Sequence, residues 1–481
     1  MFQRILCLLL AGLMLFSVVS CATSSETDES HAKQTGAVTV GETEQTPDLP
    51  EMDYKGQAFR VLTTNDGAAH LMSSKVNGEV VNDALFEANT WVTNRFNVKF
   101  EQHAIDNEMS SDTINGYIMA GDDEYDVAYL HDCTTAGMSL SGWFLNANDL
   151  PYLNPTAPWW PRFTVESLTL NGKMYYFSNY SSYQSMAWTR ACFFNESILT
   201  DFNMEKPYDS VREGTWTLDK ITQMSTVIYN DLNGDGKQDT EDLLGFAFIA
   251  YPYGWLESFG IEMYKKEAAD SAVLTLATDD ERCYTLIEKL HTWFYSGDDS
   301  VYIDFKESSD SETMFAANRV AFTFAGIGNL APQAVDAGIS YGIVPIPKID
   351  ENQKDYYAGC NDRLYSVPTT VRDTERVGII LEAMAYAGYK YILPAYCEKT
   401  LKTRFATDPD CAEMLNLVFE RQVISFAYLF ANSVDRGGMQ YRFIADTVER
   451  NKVSSFFKSK QRKEQKMLQT IMDFYENGGA S

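Results

Sequence analysis

The chain has little of what most enzymes and nucleic-acid binders use. It contains five histidines, His31, His70, His103, His131 and His291, and none is spaced to share a metal. It has no HExxH motif and no SxxK set with its partner motifs, so those two catalytic signatures are excluded. No P-loop occurs, so the chain does not itself hydrolyse a nucleoside triphosphate by that route. Its eight cysteines include no CxxC pair and no zinc spacing. Basic residues are scarce: 39 Lys and Arg face 67 Asp and Glu, a net charge of -28. Such a surface repels phosphate backbones and argues against nucleic acid as a partner. What the chain does have is 45% hydrophobic residues, against 22% charged, which is globular composition. Its 28 Tyr and 8 Trp exceed what a core needs, and suggest a surface that stacks against something flat. At roughly 150 residues per domain, the length suggests two large lobes or about three units.

The first 21 residues read as an address. Arg4 is the only charge before Glu26, and the apolar run Ile5–Val19 is too short for an ordinary membrane span. The run ends in Val18-Val19-Ser20-Cys21, which resembles a bacterial lipobox. That resemblance implies cleavage before Cys21 and acylation of its sulfur, anchoring the chain to the lipid bilayer. The alternative is a plain secretory signal that happens to contain Cys21. Residues 22–53 carry no aromatic and are rich in Ser, Thr and Glu, so they read as a disordered tether. Cys133, Cys192, Cys283, Cys360, Cys397 and Cys411 remain as buried thiols or unassigned disulfides.

From Tyr54 the pattern alternates between strand and helix. Phe59–Leu62, Val98–Phe100 and Tyr125–Leu130 read as strands, and Val81, Ala84, Leu85, Ala88, Val92 and Phe96 follow helical spacing. This predicts a parallel sheet with helices on its faces. Ligands bind beyond the carboxyl ends of such strands, where Asn65, Asp66, His131 and Asp132 fall. Further strands are expected at Met186–Phe194, Gly245–Ala250, Val320–Phe324 and Tyr341–Val344, with a hairpin at Asn171-Gly172. Helices are expected after the cap Thr217, around Val377–Met384, and along most of Tyr441–Tyr475.

The sharpest local motif is Asp231, Asn233, Asp235, Lys237, Asp239 and Asp242, with Gly236 at position six. Alternating oxygen donors around a tight turn match a calcium loop, with Lys237 lending its carbonyl. Asp242 replaces the longer Glu expected at position twelve. A structural Ca2+ or a solvated acidic turn fits these residues. Gly326-Ile-Gly328-Asn-Leu-Ala331 matches a dinucleotide fingerprint, but Pro332 interrupts its helix, and a glycine turn against a neighbour is the plainer reading. No organic cofactor is expected. Sugars offer C–H faces to rings and hydroxyls to polar groups, which nominates Tyr180, Tyr183, Trp188, Tyr253 and Trp255. Core packing competes for each of these rings. Trp159-Trp160, flanked by proline, reads as a lid or a loop anchor.

The order of these parts resembles an extracellular solute-binding lipoprotein of an ABC importer, of the carbohydrate-uptake type that includes maltose-binding protein. Asp149–Asn154 with Trp159-Trp160, Asn171-Gly-Lys173, Asp231–Gly236, Tyr341–Lys348, Leu381–Tyr386 and Pro394-Ala-Tyr396 resemble the large Gram-positive form. The resemblance implies an α/β two-lobe fold of the type II periplasmic-binding-protein kind, with lobes joined by crossover hinge strands. It implies a carbohydrate ligand, ABC permease subunits as partners, a monomer, no catalysis, and a place on the extracellular face of the cell membrane. It adds Asp362 and Arg363, within the last expected crossover, to the ligand candidates. Lobe one is expected to hold 54–178 and 310–360, and lobe two 179–309 and 361–481, with crossings near 177–182, 302–310 and 357–367. A secreted polysaccharide-degrading enzyme and a sugar-binding surface or sensory lipoprotein without transport are the alternatives.

Overall fold

The run Val127-Ala-Tyr-Leu130 is buried throughout, as a central strand covered by helices on both faces must be. In the computed structural model this strand, Val127–His131, lies between Gln57–Thr64 and Arg363–Ser366, and Val98–Ile105 closes the far edge. Gln57–Thr64 is parallel to both its neighbours, and Arg363–Ser366 is antiparallel to Val127–His131. The structure describes residues 45–477 except 251–254, 269–270, 296, 298, 306–308, 362, 402–407 and 435–437. Cys21, Tyr253 and Asp362 therefore lie outside the described residues.

The helix Val80–Phe96 buries all six residues of the expected stripe and stops at Asn97 in the left-handed conformation. The helix Leu218–Ser225 starts at Thr217, whose side chain accepts the Lys220 amide. The hairpin forms as expected, with Leu170 bridging Lys173 and positive φ at Asn171 and Gly172. The chain end forms two helices, Gly438–Thr447 and Val453–Asn477. The basic run Lys458–Lys466 is their solvated side, apart from buried Glu464, which accepts the Met439 amide at 2.7 Å.

A second sheet has the order Tyr341–Val344, Arg190–Asn195, Val320–Gly326, Leu243–Ile249, Tyr229–Asn230, with Val301–Asp304 also paired to Leu243–Ile249. This corrects the expected lobe assignment. Val320–Gly326 and Tyr341–Val344, expected in lobe one, pair with the lobe-two strand Arg190–Asn195. Arg363–Ser366, expected in lobe two, pairs with Val127–His131 of the first sheet. The expected crossing near 302–310 is not seen among the described residues: Val301–Asp304 and the next strand, Val320–Gly326, both lie on the second sheet. Local alternation says that a strand exists, and only non-local pairing says which sheet it joins.

Two crossings fall where expected. After Phe177, which bridges Tyr365, the chain passes through 178–189 into Arg190. It comes back through Ala358–Gly359, paired with Gln422–Val423, into Arg363. The first crossing is held by a π-helical turn, Gly388–Ile392. A Cβ on Gly388 would lie 2.1 Å from the Tyr180 carbonyl oxygen, so the backbones touch and only glycine fits. At the other end of the sequence, Pro47 and Leu49 are buried, and the Leu49 carbonyl accepts from Arg95 at 3.4 Å. The last residues of the expected tether thus belong to the folded body. Five of the six remaining cysteines are buried, Cys397 is half-buried, and all six are unbridged.

Candidate functional site

The two sheets present matching ends. In the first, parallel strands finish at Thr64 and His131, and Arg363 begins the antiparallel strand opposite His131. In the second, strands finish at Ile249, Asp304 and Gly326, and Arg190 begins the antiparallel strand opposite Gly326. Each sheet thus places one arginine at the strand ends, where α/β sheets bind ligands.

The cations at each end are matched by acids. Arg363 donates from Nε to Thr64 Oγ1 at 3.0 Å and from its other end to Asp66. His131 Nδ1 lies 2.9 Å from Asp132 Oδ1. Asp132 raises the His131 pKa above its ordinary value. Burial alone would lift the Asp132 carboxyl, but His131, the Cys133 amide and Asn361 outweigh it and hold it low. In the second sheet Arg190 pairs with Glu257 at 3.4 Å, both being buried. Burial raises the Glu257 carboxyl in spite of that partner, and Gln440 donates to its other oxygen at 3.0 Å.

Trp188, Arg190, Ile249, Trp255, Glu312, Phe324, Gly326 and Asn329 line a narrow pocket of ≈ 10 Å³, about the room of one water. Trp188 is 37% exposed and presents a ring to it. Trp255 is a buried wall: its indole N–H donates to the Ile249 carbonyl at 2.8 Å, and Arg190 lies over its ring at 5.5 Å. Glu312 is nearly buried, and desolvation, with Asp304 and Asp310 nearby, raises its carboxyl pKa.

The structure therefore gathers Asp66, His131, Asp132 and Arg363 at one sheet end, and Trp188 and Trp255 at the other. Asn65 is exposed and donates to Asp106 at 2.7 Å, on the rim. Tyr183 stacks on Tyr396 at 5.9 Å and meets His70 edge-on at 5.0 Å. Tyr180 packs against Tyr389 at 6.0 Å on the crossing. Sequence reasoning missed Arg190, Glu257, Glu312, Asn329 and Asn361. One signal was readable: a lone arginine opening the otherwise apolar strand Ala191-Cys-Phe-Phe194, just after Trp188.

The Asp231–Asp242 loop folds around its own amides. Asp231 accepts from Gly234 at 2.6 Å and Gly236 at 2.9 Å, Asn233 from Asp235 at 2.9 Å, and Asp235 from Lys237 at 2.8 Å. Asn233 also donates to Asp239 at 3.2 Å. Asp242 is fully buried and accepts the amides of Leu232 and Asp239, each at 3.2 Å. The donor set is all hard oxygen, which suits calcium rather than zinc. Yet His131, Asp132 and Cys133 are the acidic, His or Cys group whose ligand atoms lie within 4.8 Å of one another among the described residues. Ion binding by the loop would need its carboxylates to converge. In the other group, Cys133 donates to the Tyr428 carbonyl at 3.4 Å, and burial raises its thiol pKa, favouring the protonated form, a poor ligand.

A hydrolase-like spacing, Gly338-Ile-Ser-Tyr-Gly342, leads from the helix Ile327–Asp336 into the strand Tyr341–Val344. A nucleophile elbow needs strand then helix, and this order is the reverse. Ser340 Oγ donates to Glu196 at 2.7 Å. The dinucleotide-like glycines serve packing: a Cβ on Gly328 would lie 2.8 Å from the Ala187 Cβ. Among the described residues, no helix is long and apolar enough to cross a membrane.

No family model and no curated protein matches the chain. Solved structures do. A cyclo/maltodextrin-binding protein complexed with maltotetraose matches at TM-score 0.55 and 13% identity, over 86% of this chain and 98% of that one. UspC of M. tuberculosis matches at 0.56 and 15%, over 85% and 99%. The maltose/maltodextrin-binding domain MalE of Bdellovibrio bacteriovorus, bound to maltotriose, matches at 0.51 and 12%, over 86% and 100%. The fold is the two-lobed fold of the periplasmic-binding-protein class.

Proposed function

We propose that this chain, built on the solute-binding fold, is an extracellular receptor anchored through acylated Cys21, which captures a carbohydrate by hinge closure and delivers it to an ABC permease. The observation that carries the reading is the pairing of the cleft's cations with acids beside an exposed ring. Arg363 meets Asp66, His131 meets Asp132, and Arg190 meets Glu257. With each of these cations matched by an acid, the cleft favours a solute rich in hydroxyls over a phosphate. Trp188 supplies the apolar face such a solute stacks on. The structural neighbours named above as maltodextrin-binding are binding proteins, in line with capture without chemistry.

The test is a thermal-shift screen of the exported protein against neutral mono- and oligosaccharides, with glycerophosphocholine as a charged control. A neutral sugar is expected to raise the midpoint by mass action. A response to the charged solute alone, or conversion of the sugar into a new compound, overturns the reading. Trp188→Ala is expected to weaken the sugar hit by about 1–1.5 kcal/mol, roughly tenfold in Kd. Tyr152→Ala, also exposed, is the control and leaves Kd unchanged.

We also propose that the Asp231–Asp242 loop binds Ca2+, bracing the entry into Leu243–Ile249. Calcium at 100 times its Kd stabilises by about 2.7 kcal/mol. Chelation is therefore expected to lower the melting midpoint by several degrees, and Asp231→Asn to remove the difference. A midpoint indifferent to EDTA and calcium ends the proposal.

A further inference from the structure

Asn361 lies on the second crossing, between Gly359, which pairs with Val423, and Arg363, which begins the first sheet's antiparallel strand. Its side chain reaches both ways. Nδ2 donates to Asp132 Oδ2 at 3.3 Å, at the end of the first sheet. Oδ1 accepts from the Arg190 guanidinium, at the start of the second. Asp132 is 1% exposed and Arg190 3%. We propose that the Asn361 carboxamide is an inter-lobe staple that sets the angle between the lobes in the ligand-free protein, a positioning residue for the closure proposed above.

The chemistry of the side chain supports this role. A carboxamide carries a donor and an acceptor on adjacent atoms, so it can bridge a carboxylate and a guanidinium at once. Aspartate would repel Asp132, and leucine would serve neither group. The chain continues beyond both partners. On one side His131 holds the other oxygen of Asp132. On the other Arg190 reaches Glu257, and Gln440 ties Glu257 to the Met263 amide, accepted at 2.8 Å. Turning the lobes as rigid bodies breaks one of the Asn361 bonds, and a buried charge then loses a partner. The hinge therefore favours discrete positions over a continuous swing.

The test uses the full chain without ligand, so it is independent of which solute is captured. Small-angle scattering compares wild type with Asn361→Leu and Asn361→Asp. The staple predicts a larger radius of gyration and a broader distance distribution for both variants. It also predicts at least tenfold faster amide exchange in 178–189 and 358–361, with exchange in the strand Val98–Ile105 unchanged. A scattering profile superimposable on wild type, with a lowered melting midpoint, would show Asn361 to be merely structural and overturn the proposal. Should Asn361→Leu fail to fold, Asp132→Asn provides the second reading. It keeps the shape but turns the acceptor aimed at Nδ2 into an amide, and the same expansion is expected. A sugar screen that fails while the scattering changes refutes the function and leaves the staple standing.

Discussion

Asp126→Ala is expected to lower the unfolding free energy by about 3–5 kcal/mol, a large share of the roughly 5–15 kcal/mol that holds a typical domain folded. The carboxylate is 1% exposed and joins two arginines from distant parts of the chain. It accepts the Arg60 backbone amide at 2.7 Å, the Arg60 guanidinium at 2.8 Å, and the Arg376 guanidinium at 2.6 Å. Arg376 is 2% exposed and also donates to the Ala58 carbonyl at 3.0 Å. Removing the acid leaves a buried cation with no carboxylate of equal geometry, since Asp373 lies at 3.4 Å and is half exposed. Guanidinium denaturation should show the midpoint falling at unchanged m-value. The double variant Asp126→Ala with Arg376→Met should recover part of the loss, because it removes the stranded charge. No recovery would mean that the loss comes from the Arg60 side, or from packing.

Glu382→Ala is expected to lose about 3–4 kcal/mol, and Glu382→Gln roughly half as much. This buried carboxylate accepts both indole N–H groups, Trp159 at 2.7 Å and Trp160 at 2.9 Å, and the Asn154 amide at 3.1 Å. Trp159 packs edge-on against Tyr386 at 5.5 Å, and Trp160 against Phe177 at 5.6 Å. The turn-rich loop is thus riveted to the helix Thr374–Ala387, and Trp159-Trp160 is an anchor and not a lid. Alanine strands two buried indole donors and the Asn154 amide, while glutamine keeps one acceptor. Burial holds the Glu382 carboxyl above the ordinary glutamate range, although its three donors pull it down. The folded state therefore keeps this proton to higher pH than the unfolded state does. Its contribution is full below the unfolded pKa of roughly 4.5, and is lost as pH rises through the raised folded value. Wild type minus Glu382→Gln should show that decline in a series of melts across pH. A flat difference would contradict it.

Legibility depended on how far apart in the sequence the cooperating residues lie. The stripe Val81–Phe96, the Thr217 cap and the Asn171-Gly172 turn were readable because each depends on residues a few positions apart. Asp66, His131 and Asp132 were nominated by one general rule, that ligands gather at strand ends, and the fold does bring them to one sheet end. Tyr180 and Trp255 were chosen for their rings, and burial within the fold gave both of them walls to form. Arg190 was passed over because a single arginine before an apolar strand is common.

The amino-acid order alone determined the local elements and the surplus of rings, because helical and strand periodicity and turn chemistry act over fewer than about ten residues. The two crossings that the fold retains came from the family resemblance rather than from periodicity. Tertiary structure decided which sheet received Val320–Gly326, Tyr341–Val344 and Arg363–Ser366, since backbone ladders recognise partners and not neighbours in sequence. It also brought Asn361 to Arg190 across 171 positions and to Asp132 across 229. Nothing in either segment encodes that meeting. It follows from two sheets ending at a shared crossing, where burial leaves an isolated charge no stable option except a partner.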